Sequence, residues 1–357
     1  TRLYFISNRT GSSSVWSIGM ASGKPTGAPE LVRPDTGPIE SMGMTRAGVL
    51  YYLVRGGGGT NIYTAELGPN GTVSKPVLWS DRFVNSTQGA NISPDGKSLA
   101  YYSVRSGPEH LVIVRSLETG KERDLRQELR LFVPNGSGPM WFPDSRSLLT
   151  MTCDLQKLPN CGFYRLHVDT GETQLILNAP PSFFKLSPDG KTLFYITPTQ
   201  TSMRLTRYDL ETRREAELSA NKWIMEIAVS PDSKQLAYLE NVDSGAPWNR
   251  SLAVMPATGG PAKELYRSPD LARYNALEWT PDQRFLAFAK TGPGNSQSLW
   301  RVPAAGGPPE PLGLSQAGQI REPQVTPDGK RLFYTVTEPN ANEVWALENF
   351  IPVKAGK

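Results

Sequence analysis

Three acids stand out by position. Glu226, Glu278 and Glu322 each lie two to four residues before a Ser/Thr-Pro-Asp tripeptide, on what reads as the first strand of a repeating unit. Carboxylates brought to a shared channel from separate units offer hard oxygen ligands to a cation such as Ca²⁺. No D-x-D-x-D-G loop accompanies them, so the preferred reading is channel residues solvated or paired with Lys185 or Arg321. The two histidines, His110 and His167, lie in no H-E-x-x-H pattern and at no ligand spacing from a cysteine pair, and are read as structural. RGGGGT (55–60) resembles a phosphate cradle, but such loops feed a helix N-terminus, and this one runs into NIYTAEL, a strand. No G-x-S-x-G elbow occurs. The sequence therefore presents no catalytic constellation, and no cofactor or bound metal is expected.

The most repeated polar residues are the aspartates of a recurring phrase. SPDGKSLAYY (93–102) returns as SPDGKTLFYI (187–196) and TPDGKRLFYT (326–335), with looser copies at 142–151, 230–239 and 280–289. Asp95, Asp144, Asp189, Asp232, Asp282 and Asp328 are 43 to 50 residues apart. A period of this size marks a solenoid, propeller or array. Six equivalent aspartates argue for a turn rather than a catalytic centre. Pro presets the second turn position, Asp suits the third and Gly the fourth, and the carboxylate is expected to bond nearby backbone.

Each unit reads as four strands: a short strand before the Pro-Asp turn, an aromatic and apolar strand after it, a third after a looser loop, and a fourth after an ETGK- or AAGG-like turn. In the first strand the positions one and three before the turn Ser/Thr are apolar: Ala90 and Ile92, Phe184 and Leu186, Ile227 and Val229, Leu277 and Trp279. No window sustains helical spacing with caps. A lone meander cannot bury two such faces, whereas stacking around a ring does so and leaves only short edges. The second strand can be counted at Leu3, Leu50, Leu99, Leu148, Leu193, Leu236, Leu286 and Leu332. The expectation is an all-β β-propeller of four-stranded antiparallel blades spanning 1–357 as one domain, with eight blades, or seven and a stray hairpin.

Composition is that of an ordinary globular chain, 38% hydrophobic and 20% charged over 357 residues. A net charge of +4 without a basic run leaves no footprint for nucleic acid. No apolar stretch approaches the ~18 residues of a membrane span. The chain opens on TRLYFIS, the tail of a further copy, so the natural protein is expected to continue before Thr1, where any targeting or anchoring segment would lie. The two cysteines, Cys153 and Cys161, flank one loop; they form either a disulfide, which implies an oxidising compartment, or two free thiols.

The repeat [ST]-P-D-G-K-x-L-A/F-Y with its T-G-G or A-G-G turn resembles the TolB-type, WD-like propeller repeat over nearly the whole chain. SNRTGSSSVWSI and EVWALENF also resemble propeller regions of large membrane-anchored bacterial signalling proteins. That resemblance implies an extracytoplasmic sensing or docking module; no residue matches the kinase or DNA-binding motifs of such proteins. A similar propeller caps prolyl-oligopeptidase-like hydrolases, and related propellers are metal-dependent hydrolases, which gives the alternative of a gating or hydrolytic propeller.

A partner is expected where the repeat varies. The turns after the first and third strands are short and alike. The loops after the second strand and the links between units differ from copy to copy and share the opposite face, and loop variety on a rigid scaffold is where recognition resides. Trp248, Arg250, Trp223, Arg273, Arg130 and Phe132 fall there. Trp and Arg are the usual interface anchors. The expected ligand is a protein, peptide or glycan bound by a monomeric propeller, with Trp248 the first choice of contact or else folded over a blade edge.

Overall fold

The computed structural model describes the chain except residues 11–12, 35, 37–38, 47, 56–58, 69–71, 80–86, 105–109, 126–129, 132–137, 154–160, 181, 243–248, 273–275, 340–341 and 349–357. Among the described residues the structure is all-β, with a single 3-10 turn, Pro293–Asn295, as its helical element.

Antiparallel pairing of consecutive segments builds most of the sheets. Sheet I contains Thr87–Ile92, Ser98–Val104, His110–Ser116 and Glu122–Leu125. Sheet II contains Ser147–Cys153, Cys161–His167 and Thr173–Asn178, with Arg130–Leu131 and Met140–Trp141 both paired to the first of these. Sheet III contains Phe183–Leu186, Thr192–Pro198, Met203–Asp209 and the first part of Glu215–Val229. The second part of that strand opens sheet IV, followed by Gln235–Asn241, Arg250–Pro256 and Lys263–Ser268. Sheet V contains Glu278–Trp279, Phe285–Thr291, Gln297–Pro303 and Glu310–Gln316.

The chain ends break the consecutive pattern. Sheet VI takes its inner strands, Gln319–Val325 and Arg331–Thr337, from near the C-terminus and its outer strands, Thr60–Glu66 and Val77–Leu78, from the N-terminal part. Sheet VIII does the reverse, with Ile39–Met44 and Leu50–Arg55 joined by Asn342–Leu347. Sheet VII is Arg2–Ser7, Ser14–Ala21 and Lys24–Arg33. These two units have thus exchanged their third strands.

Each of sheets I to VI buries side chains against two neighbours. Tyr102, Trp141 and Leu148 fill the I–II interface. Phe163, Phe184 and Tyr195 fill II–III, where Phe163 and Phe184 meet edge-on at 5.1 Å. Leu205, Ile227 and Tyr238 fill III–IV; Leu252, Leu277 and Phe288 fill IV–V; Leu299, Ile320 and Tyr334 fill V–VI; and Phe333, Ile62, Leu99 and Ile113 fill VI–I. The stacking returns to its starting sheet, and the innermost strands abut one another in the same cycle. Sheets VII and VIII share one small core, Val15 and Leu50 with Tyr4, Val32, Tyr52 and Leu347. Among the described residues eight sheet units form, one per counted second strand.

The Pro-Asp corners behave as the sequence indicates. Asp95, Asp189, Asp232, Asp282 and Asp328 each accept, through Oδ1, the hydroxyl of the Ser or Thr two residues before and the backbone N–H two residues after, at 2.5 to 3.1 Å. The Ser230 and Thr326 hydroxyls and these N–H groups hold Asp232 and Asp328 below the usual carboxylate range. The fourth turn position has positive φ whether it is Gly96 or Ser145, Ser233 or Gln283. Adjacent corners touch: the Asp95 N–H donates to Ser145 Oγ and the Asp189 N–H to Ser233 Oγ. A side chain at Gly190 would collide with Pro143, 2.5 Å from its Cβ position. These corners share one end of the ring.

Candidate functional site

The polar residues of the inner strands meet along the axis of this cycle. Lys185 of sheet III and Glu278 of sheet V form an ion pair that passes across sheet IV. Burial would lower the Lys185 ammonium, but Glu278 beside it, with Glu322 and Glu226 further off, holds it above its usual range.

Glu226 and Glu322 are more deeply placed, at 0% and 3% exposure. Each lies at an irregularity of an inner strand, between Ile224 and Glu226 or between Arg321 and Gln324, where a register shift turns the side chain inward. Glu322 has a left-handed backbone, φ 49°. Glu226 Oε1 accepts the Leu277 N–H of the next sheet at 2.5 Å. Glu322 Oε1 accepts the Gly138 N–H of sheet II's entry segment at 2.8 Å, passing over sheet I. That reach requires glycine, because a Cβ at Gly138 would lie 1.7 Å from the Gly89 carbonyl oxygen. The second oxygen of both acids is buried and unpartnered, as is the Tyr102 hydroxyl. Burial pushes Glu226 up to about 7 and Glu322 up to about 8, Lys185 and Arg321 only partly offsetting it. Burial, with Glu322 nearby, also raises the Tyr102 phenol.

The three acids thus share one electrostatic neighbourhood, but each has its own anchor: Glu226 and Glu322 a backbone N–H, Glu278 a lysine. Among the described residues no group of three or more His, Cys, Asp or Glu is placed to hold a metal ion. The arrangement can tie sheets across the axis and hold protons near neutrality. Sequence reading marked the acids and Lys185 but missed Tyr102 and Gly138. A glycine in the link NGSG was the one available signal.

Of the residues expected on the loop-rich face, Trp248, Arg273 and Phe132 lie outside the described residues, and Arg130 begins the strand Arg130–Leu131. The Arg250 guanidinium donates to the backbone carbonyls of Pro269 and Leu271, fastening a third strand to the following link. Trp223 is 51% exposed and pairs with Asn241, the last residue of the strand Gln235–Asn241. Beside it, Lys222 donates to Tyr238 Oη and Glu240 Oε1, both at 2.9 Å. Cys153 and Cys161 face each other as a cross-strand pair and form a disulfide.

No family model matches the chain, and no curated protein does. Solved structures do. A protein assigned as TolB from Agrobacterium tumefaciens aligns with a TM-score of 0.64 and 17% identity over 79% of this chain and 99% of that one. TolB from Acinetobacter baumannii aligns with a TM-score of 0.55 and 16% identity over 80% of this chain and 65% of that one. An oligogalacturonate lyase in complex with manganese aligns with a TM-score of 0.55 and 14% identity over 85% and 96%. At these identities the likeness defines the fold: a TolB-like β-propeller.

Proposed function

We propose that this chain is a non-catalytic, extracytoplasmic binding module that engages a protein, peptide or glycan through the loop-rich end of a propeller. We read the ring as six blades, sheets I to VI, with sheets VII and VIII as a paired extension, instead of eight equal blades. The observation that carries the binding reading is Trp223. It is a large aromatic left half in water at the end of its strand pairing, on a strand whose other end is locked into a uniform corner. An exposed Trp on a rigid strand gives contact area at low entropic cost. The disulfide supports an oxidising compartment, since such bonds persist there and are rare in a reducing cytosol.

The lyase likeness keeps the enzymatic alternative in view, either as a metal-dependent propeller or as the gate of a hydrolase. Two of the three channel acids have an oxygen fixed by backbone and the third is fixed by lysine, which supports a structural role for them. The test places a photo-crosslinking residue at position 223 or at position 95, on the opposite end, in the native host. A discrete adduct from 223 alone is expected. Adducts from 95 alone, or equal adducts from both, would refute the assignment of the face.

A further inference from the structure

On the rim, away from both Trp223 and the axis, a cleft of about 440 Å³ opens between sheets II and III. That is a volume suited to a small ligand or a few side chains. Phe142, Ile176 and Tyr208 give it an apolar floor, and Arg165, Gln174 and Arg213 line it with donors. The cleft lies beside the outermost strand of sheet II, Thr173–Asn178, which among the described residues pairs on one side only.

That strand differs from the outer strands of four other sheets; the outer strand of sheet VI, Val77–Leu78, is also uncharged but only two residues long. Those of sheets I, III, IV and V carry charged side chains, mostly in ion pairs such as Glu122 with Arg115, Glu217 with Arg204, Glu264 with Arg267 and Glu310 with Arg301. Charges on an edge discourage further strand pairing. Thr173–Asn178 reads TQLILN, has no charge, and leaves Leu175 44% exposed.

The cleft's charges are unevenly engaged. Asp144 is saturated by the N–H groups of Arg146 and Ser147, the Ser147 hydroxyl and Arg165 Nη2. Asp189 is held in its own turn by Ser187 and Lys191. On the donor side, Arg165 Nε is buried without a partner. Arg213 makes no side-chain hydrogen bond or ion pair among the described residues; it is held in a left-handed turn, φ 57°, at the cleft's margin.

We propose that this rim is a peptide-docking site: an extended segment of a partner protein adds as a further strand to Thr173–Asn178, places aliphatic side chains in the cleft, and sets an acidic side chain against Arg213 and Arg165. Strand addition supplies affinity through main-chain hydrogen bonds, and the pockets beside it supply specificity. This site is independent of the loop-rich face.

The test uses the whole oxidised chain and three fluorescein-labelled heptapeptides alternating leucine and threonine, with aspartate at position 2, 4 or 6. Fluorescence anisotropy is expected to show saturable binding of at least one. Lysine in place of its aspartate is expected to weaken binding about fivefold or more, Arg213→Ala about threefold, and Leu175→Lys, which charges the edge, about tenfold. Trp223→Ala leaves the affinity unchanged, and hydrogen exchange slows at 173–178 when the peptide is present. Leu175 and Arg213 are both exposed, so unchanged melting of the variants checks their folding. The proposal is overturned by no saturable binding of any of the three up to about 1 mM. It is equally overturned by binding indifferent to both Arg213→Ala and Leu175→Lys, or by protection that falls outside the II–III rim.

Discussion

Raising the pH should loosen the ring through two residues, and the size of the effect can be worked from the structure. Glu226 and Glu322 hold their protons up to about 7 and about 8 in the folded chain, against 4.5 for an unperturbed glutamate. A folded pKa above the unfolded one stabilises fully below the unfolded value, and that stability is lost as pH rises through the folded value. At ~1.4 kcal/mol per pH unit, moving from pH 6 to pH 9 removes about 3 kcal/mol at Glu322 and about 1 kcal/mol at Glu226. The ionised forms are costly because each keeps one buried oxygen without a partner, and Lys185, the nearby ammonium, already pairs with Glu278. Urea unfolding at half-unit steps from pH 6 to 9 measures this directly. The wild type should lose about 4 kcal/mol, Glu322→Gln should lose only the smaller Glu226 share, and the Glu226→Gln/Glu322→Gln double variant should be flat. A flat wild type, or a fall of equal size in the double variant, would show that these carboxyls ionise freely and that the axis is wetter than described.

Other outcomes follow from single features. Gln283→Gly should raise stability by about 0.5 to 1 kcal/mol in urea, because Gln283 occupies a left-handed turn position that glycine fills without strain. Cys153→Ser/Cys161→Ser should cost about 2 to 3 kcal/mol for so short a loop, and a thiol assay on unreduced wild type should find no free thiol. Trp141→Phe removes the indole N–H bond to the Asn91 carbonyl across the I–II interface, so a loss of about 1 to 2 kcal/mol is expected in urea unfolding. EDTA should leave the melting temperature unchanged; a fall of several degrees would favour the metal-dependent alternative.

The sheets were legible because each is written locally. The Pro-Asp turn, the apolar pair before it and the aromatic run after it repeat with little drift, and Phe184, Leu277 and Ile227 are buried where that pattern puts them. The corner aspartates were legible for the same reason. The pairing of the chain ends was not. Thr60–Glu66 and Asn342–Leu347 are both generic third strands, and nothing local tells the first to pair with Arg331–Thr337 and the second with Leu50–Arg55. The choice is made by the ring core: Ile62 is buried with Leu99 and Ile113 of sheet I, a contact between segments far apart in sequence. The axial acids were found, but their burial was not, since it depends on two strand irregularities and on Gly138 being small enough to approach Gly89. The rim cleft escaped because the absence of charge in TQLILN has meaning only once the outer strands of sheets I, III, IV and V are known to carry it.

The exchange of strands between the two ends has a consequence for how the protein is made. Thr60–Glu66 is synthesised more than two hundred and fifty residues before its partner Arg331–Thr337. Over that interval the strand has an unsatisfied edge and its sheet lacks an inner half. Contacts between distant segments form slowly, and exposed edges of this kind invite association with other chains. Sheets II to V can stack as they emerge, but the circle is fastened only when Gln319–Val325 and Arg331–Thr337 are available, which makes those strands the ones on which release of a closed molecule depends.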